Sequence, residues 1–131
     1  MLTIVEQKDL SGYASLLDSL HAPAGTQLYL TEALEGEHVT GYIVYAYESE
    51  RVAVYAVDDG DDLYLCDGLV RSVLFKGMLR GLDAAVFYLQ DEAMMAKMQK
   101  LRFVENDENT LESIVKIMDN CKSCRGNATK A

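Results

Sequence analysis

Apolar residues recur along this chain with two different periods. Leu10, Tyr13, Leu16, Leu17 and Leu20 fall at the i, i+3, i+4 spacing that gives a helix one buried face, so residues 8–20 are expected to be helical. The His21-Ala22-Pro23-Ala24-Gly25 stretch breaks that helix, and residues 2–5 ahead of it read as a short strand. From Gln27 the period becomes two. Residues 27–34, 39–47 and 51–57 are rich in Tyr, Val, Ile and Thr, with turn chemistry at Glu35-Gly36-Glu37 and Glu48-Ser49-Glu50. Three consecutive antiparallel strands are the simplest outcome. Asp58-Asp59-Gly60-Asp61-Asp62 is expected to be a solvated loop, followed by a short extended return over Leu63, Tyr64 and Leu65. A calcium loop is the sharper alternative for the acidic run, but its spacing and the missing final Glu do not match an EF-hand.

Residues 67–80 carry the strongest helical pattern. Asp67 is a candidate cap, Leu69, Val70, Val73, Leu74 and Met78 form an apolar stripe, and Gly81 sits where a left-handed C-terminal residue is wanted. The nearly all-apolar residues 82–89 then predict a strand covered on both faces. Strand, helix and strand in this order imply a right-handed crossover between parallel strands. A further helix over residues 91–100 carries Met94, Met95 and Met98, while residues 111–120 suit either a helix or a terminal strand. The expectation is one α+β domain over residues 1–124, with residues 125–131 as a disordered tail. Its mixed sheet would combine an antiparallel meander with one parallel β-α-β crossover, with helices on both faces.

Composition adds limits. Half of the 131 residues are hydrophobic, enough for a core without disulfide or metal staples. Acidic residues outnumber basic ones 21 to 12, for a net charge of -9, which argues against nucleic acid or anionic lipid as the principal partner. A cationic partner, a small-molecule amine or a basic peptide, suits that charge better. Nucleotide-like cofactors stay open, because backbone N–H groups and a few local cations hold them whatever the overall sign. The longest uncharged apolar run, residues 39–47, is too short to cross a membrane. The first residues lack a basic n-region, so a cytoplasmic protein with reduced Cys66, Cys121 and Cys124 is expected. Cys121-Lys122-Ser123-Cys124 is compatible with zinc or thiol redox chemistry, but His21 and His38 lie at no finger spacing, and no metal site is assigned. Cys66 reads either as a thiol activated beside a helix start or as a buried apolar residue.

The order of helix, meander, strand, helix, strand and helix, ending in Leu101-Arg102-Phe103, resembles the GNAT superfamily of acyl-CoA-dependent N-acyltransferases, most strongly between Gly41 and Val104. In that family, the turn after the fourth strand presents backbone N–H groups to the pyrophosphate of coenzyme A. Asp67-Gly68-Leu69-Val70-Arg71-Ser72-Val73-Leu74 looks like the family's Gly-x-Gly-x-Ser/Ala-x-Leu. The resemblance therefore implies acetyl-CoA held at Gly68, Leu69, Val70, Arg71 and Ser72. Val70 stands at the second glycine, however, and Leu65, Cys66 and Asp67 replace the usual basic residues. A cation such as Arg71 near a helix start opposes the dipole by ~0.3–1 kcal/mol unless an anion lies nearby. A capping Asp67 would itself occupy the amides a phosphate needs.

The family's second signature, Asn-x-x-Ala-x-x-Leu-Tyr running into Leu-Gly-Phe, corresponds to Asp91, Met94, Lys97 and Met98 followed by Leu101-Arg102-Phe103. Met98 replaces the tyrosine that protonates the departing thiolate, a step no thioether performs. By position, Glu32 and Glu48 are candidate bases, and Tyr55 and Tyr88 are candidate replacement acids. A solvated strand face for the carboxylates and core positions for the tyrosines are the plainer readings. Two functions follow: an acyl-CoA-dependent N-acetyltransferase acting on an amine, or a non-catalytic binding protein on the same fold.

Overall fold

The computed structural model describes residues 2–106 and 108–119. The period-two segments form the meander expected of them: β1 (Leu2–Gln7), β2 (Tyr29–Glu35), β3 (His38–Tyr47) and β4 (Arg51–Asp58), each antiparallel to the next. β5 (Ala84–Phe87) lies parallel to β4, and the two-residue β6 (Thr110–Leu111) closes the sheet antiparallel to β5. Strand order in the sheet follows chain order. Strand alternation divides the core in two. Ile43 and Tyr45 of β3 face one side, and Val44 and Ala46 face the other.

One face is covered by a single 3-10 turn, Ser11–Tyr13, that runs into α1 (Ala14–Ser19). Leu10, Tyr13, Leu16, Leu17 and Leu20 pack there on Leu30, Val44, Ala53 and Val86. The apolar stripe is used as expected, but residues 8–10 are not helical. Asp9 accepts the Ser11 N–H through its side chain, and Gly12 weakens helix continuity. On the opposite face lie α2 (Leu63–Leu79), α3 (Glu92–Lys100) and α4 (Ile114–Asp119), whose Leu69, Leu74, Met98 and Ile114 are fully buried. Each such side chain stabilises the fold by about 1.5–3 kcal/mol relative to exposure. α2 lies so close to the sheet that a Cβ on Gly77 would clash with a Val52 methyl.

The start of α2 corrects the expectation. Asp62, not Asp67, is its N-cap, accepting from the Tyr64 and Leu65 N–H groups. Leu63, Tyr64 and Leu65 form the first helical turn instead of an extended return. Both aspartates are competent caps by chemistry. Burial of Leu65 and Cys66, one turn before Leu69 and Val70, extends the buried stripe upstream and decides between them. The other end is as expected: Gly81 has φ +82° and donates to the Met78 carbonyl, and Leu82 donates to Gly77. The ambiguous stretch divides, with β6 followed by the short α4.

Candidate functional site

β4 and β5 pair only from Arg51 opposite Ala84 to Val54 opposite Phe87, with one further bond from Tyr88 N–H to the Val54 carbonyl at 2.8 Å. β4 continues to Asp58 without β5 beside it. The register with β3 also jumps here: Val44 faces Ala56 and Tyr45 faces Val54, so Tyr55 is the extra residue of a bulge. A bulge bends its strand and increases the local twist, which turns the end of β4 away from β5 where their pairing stops. Above the divergence lies a cleft of about 380 Å³, walled by Tyr42 and Val57 of the sheet, the turn from Asp58 to Asp61, and Asp91, Met94 and Lys97 of the α3 segment.

The turn from β4 into α2 supplies its own acceptors. Gly60 N–H donates to Asp58 Oδ1 and Asp61 N–H to Asp59 Oδ1, both at 3.0 Å. Asp62 N–H donates to the Asp59 carbonyl at 3.0 Å, and Cys66 N–H to the Asp62 carbonyl at 3.0 Å. Tyr64 and Leu65 donate to Asp62 Oδ1 at 3.0 and 3.2 Å. The backbone permits this through consecutive left-handed residues, Gly60 at φ +57° and Asp61 at φ +62°. A side chain at Gly60 would press on the Thr40 carbonyl, 2.8 Å away. The acidic run is therefore not uniformly solvated. Asp59 is 3% exposed and receives Lys97 Nζ at 2.6 Å, a hydrogen bond that raises the lysine's pKa. The sequence separation of 38 between Asp59 and Lys97 explains why no local motif announced the pair.

The residues expected to hold a cofactor stand elsewhere. Gly68, Leu69, Val70, Arg71 and Ser72 lie inside α2, where amides point along the axis at carbonyls of the preceding turn, so they do not form an open amide nest. Leu69 and Val70 are core residues. Ser72 Oγ donates to the Leu69 carbonyl at 2.7 Å, and Arg71 Nε lies 3.0 Å from both oxygens of Asp67, with the guanidinium 5.4 Å from the Phe103 ring centroid. Asp67 thus serves as an ion-pair partner one turn before Arg71, not as a cap.

The candidate catalytic residues fall into two groups. Tyr55 and Tyr88 come together at the divergence, ring centroids 5.3 Å apart. Tyr88 donates to Glu48 at 3.1 Å, and Arg51 binds both Glu48, at 2.7 Å, and the Tyr88 hydroxyl, at 3.1 Å. Burial, then the Glu48 charge, raises the pKa of Tyr55. Glu32 belongs to the other group. It is buried on β2 opposite Tyr42 and accepts a hydrogen bond from the Tyr13 hydroxyl, whose own pKa burial and Glu32 push up. Tyr13 appeared in the sequence only as a member of the helical stripe. Met98 is fully buried, as core filler is. Burial pushes the Cys66 thiol up to about 12, with Sγ 3.8 Å from Met94 Sδ, so the buried apolar reading of this residue applies. Among the described residues no group of three His, Cys, Asp or Glu side chains is arranged to hold a metal; Cys121 and Cys124 lie outside them. No described helix is long and apolar enough to cross a membrane.

No protein-family model matches the chain. No curated protein sequence matches it either. Among solved structures it is similar to the ribosomal-protein-S18-alanine N-acetyltransferase from Escherichia coli, at a TM-score of 0.55 and 14% identity over 77% of this chain and 76% of that one. At that identity the likeness speaks to architecture. Together with the single parallel strand pair and helices on both faces, it gives this chain the acetyltransferase-like GNAT fold.

Proposed function

We propose that this chain is a GNAT-fold binding protein that does not transfer acetyl groups from coenzyme A, and that its cleft takes a cationic group, an amine or a basic peptide side chain. One observation carries the reading: the amides of the β4–α2 turn that donate to Asp58, Asp59 and Asp62 are those a diphosphate would need. Admitting the phosphate would displace the Asp62 cap, at a cost of about 1 kcal/mol, and place the anion among like charges. Asp58, Asp61 and Asp91 line the same cleft, with Lys97 already engaged by Asp59. A cofactor diphosphate does not fit such a lining, whereas an ammonium group meets acceptors there.

The test is calorimetric titration and thermal melting of the full chain with acetyl-CoA, CoA, spermidine and a lysine-rich peptide. Ligand at about 100 times its Kd stabilises a protein by about 2.7 kcal/mol, a shift of several degrees. Spermidine or the peptide is expected to produce it, weakened by replacing Asp58 and Asp91 with Asn. Acetyl-CoA is expected to leave Tm unchanged at millimolar concentration. Acetyl transfer to any amine in a broad panel would overturn the reading. It would establish instead the second one, an acyl-CoA-dependent N-acetyltransferase, which the divergence of β4 from β5 and the tyrosine pair beside it favour.

A further inference from the structure

A second hollow of about 570 Å³, sharing no lining residue with that cleft, lies between α2, the segment joining α3 to β6, and α4. Its lining is far less acidic than the rest of the molecule. Arg71, Arg102 and Lys116 line it with Glu105 and Glu112, and Asp67 pairs with Arg71, so the charges there balance in a chain of net charge -9. The neutral polar groups of the wall are engaged locally. Asn106 binds Thr110 and the Glu108 N–H, and Ser113 donates to Asp83 and accepts from Lys116 N–H. Arg71 is fixed in place by Asp67 through its Nε and by the Phe103 ring. Among the described residues, the Arg102 and Lys116 side chains make no hydrogen bond or ion pair. The backbone adds an independent observation. Arg102 has φ +67°, the left-handed region that favours glycine, so a long cationic side chain stands at the lip of this hollow against its backbone preference.

We infer that this hollow is an anion-binding site, separate from the acidic cleft, in which Arg102 and Lys116 grip the carboxylate or phosphoryl group of a small molecule beside the fixed Arg71. Its volume lies within the range of small-molecule sites. The position of Arg102 makes the test selective. Glycine there relieves the backbone and removes the charge, so Arg102→Gly is expected to raise Tm while weakening anion binding roughly tenfold or more, as loss of a charge-assisted contact does. Lys116→Gln, on an exposed helical position, is expected to weaken binding without raising Tm.

The probes are inorganic phosphate and citrate, titrated at constant ionic strength against sodium chloride. They are followed by calorimetry and by the amide resonances of Arg102, Ser113 and Lys116. Saturable binding of phosphate alone assigns a phosphoryl ligand, and of citrate alone a polycarboxylate; both together support the general anion site. No saturation by either probe overturns the proposal. So does binding that chloride reproduces, or binding that both variants retain at full strength.

Discussion

At the scale of single residues, the chemistry near the start of α2 is a contest between Asp62 and Asp67 for the same task. Both are good N-cap types, and local sequence does not rank them. Asp62 accepts two amides, and Asp67 is left to hold Arg71. Asp62→Ala is therefore expected to destabilise the protein by about 1 kcal/mol in urea unfolding, whereas Asp67→Ala removes a partly exposed ion pair worth less, about 0.5 kcal/mol. Equal losses would mean that the helix start is shared between them. Cys66 offers a second check. With its thiol pushed up to about 12 by burial, it should resist thiol reagents at pH 8 in the native state and react once unfolded. The raised value also fixes a sign. Its contribution to stability is complete below the ordinary thiol pKa, near 9, and is lost as pH rises from there to about 12, because the unfolded thiol ionises first.

At the scale of elements, two glycines of α2 separate helix propensity from packing. Gly68 faces open space, and alanine there should stabilise by about 0.5–1 kcal/mol. Gly77 lets the helix touch β4. Alanine there meets Val52 and should cost about 1–3 kcal/mol, read as a fall in Tm. In sequence the two are alike, each a glycine in a helical pattern. The strands were legible because alternating Tyr, Val, Ile and Thr between short turns leaves little choice of conformation. The divergence of β4 from β5 was not, since it depends on one extra residue, Tyr55, whose status as a bulge exists only relative to β3. Gly68 stands inside α2 and not at its start for a related reason: helical periodicity marks the stripe, not the turn at which the helix begins.

At the scale of the whole molecule, the edge strand β1 is tied to α2 by Glu6, which accepts from Lys76 at 2.9 Å and from the Tyr45 hydroxyl at 2.8 Å. The lysine hydrogen bond holds the Glu6 carboxyl below its ordinary value despite burial. Its stabilisation is therefore present above the usual carboxylate pKa and disappears as pH falls through the lowered one. Glu6→Gln should flatten the acid limb of a Tm-against-pH curve in that window; an unchanged limb would remove the tether from the account. The net charge of -9 acts in the other direction at neutral pH, so raising ionic strength from low to physiological should raise Tm by screening self-repulsion. The sequence by itself determined the α+β class, the meander, the crossover and the two-sided core, because periodicity and turn chemistry are local properties that each segment carries unaided. The resemblance drawn from it also implied a cofactor turn at Gly68 to Ser72 and a missing acid at Met98. Only the tertiary structure decided which residues form the turn before α2 and what they meet. Lys97 finds Asp59, the turn's carboxylates close on their own amides, and Arg71, Arg102 and Lys116 meet around one hollow. The first and last of these bring together residues distant along the chain, and side-chain pairing over such separations is set by how the elements pack, which no local pattern encodes.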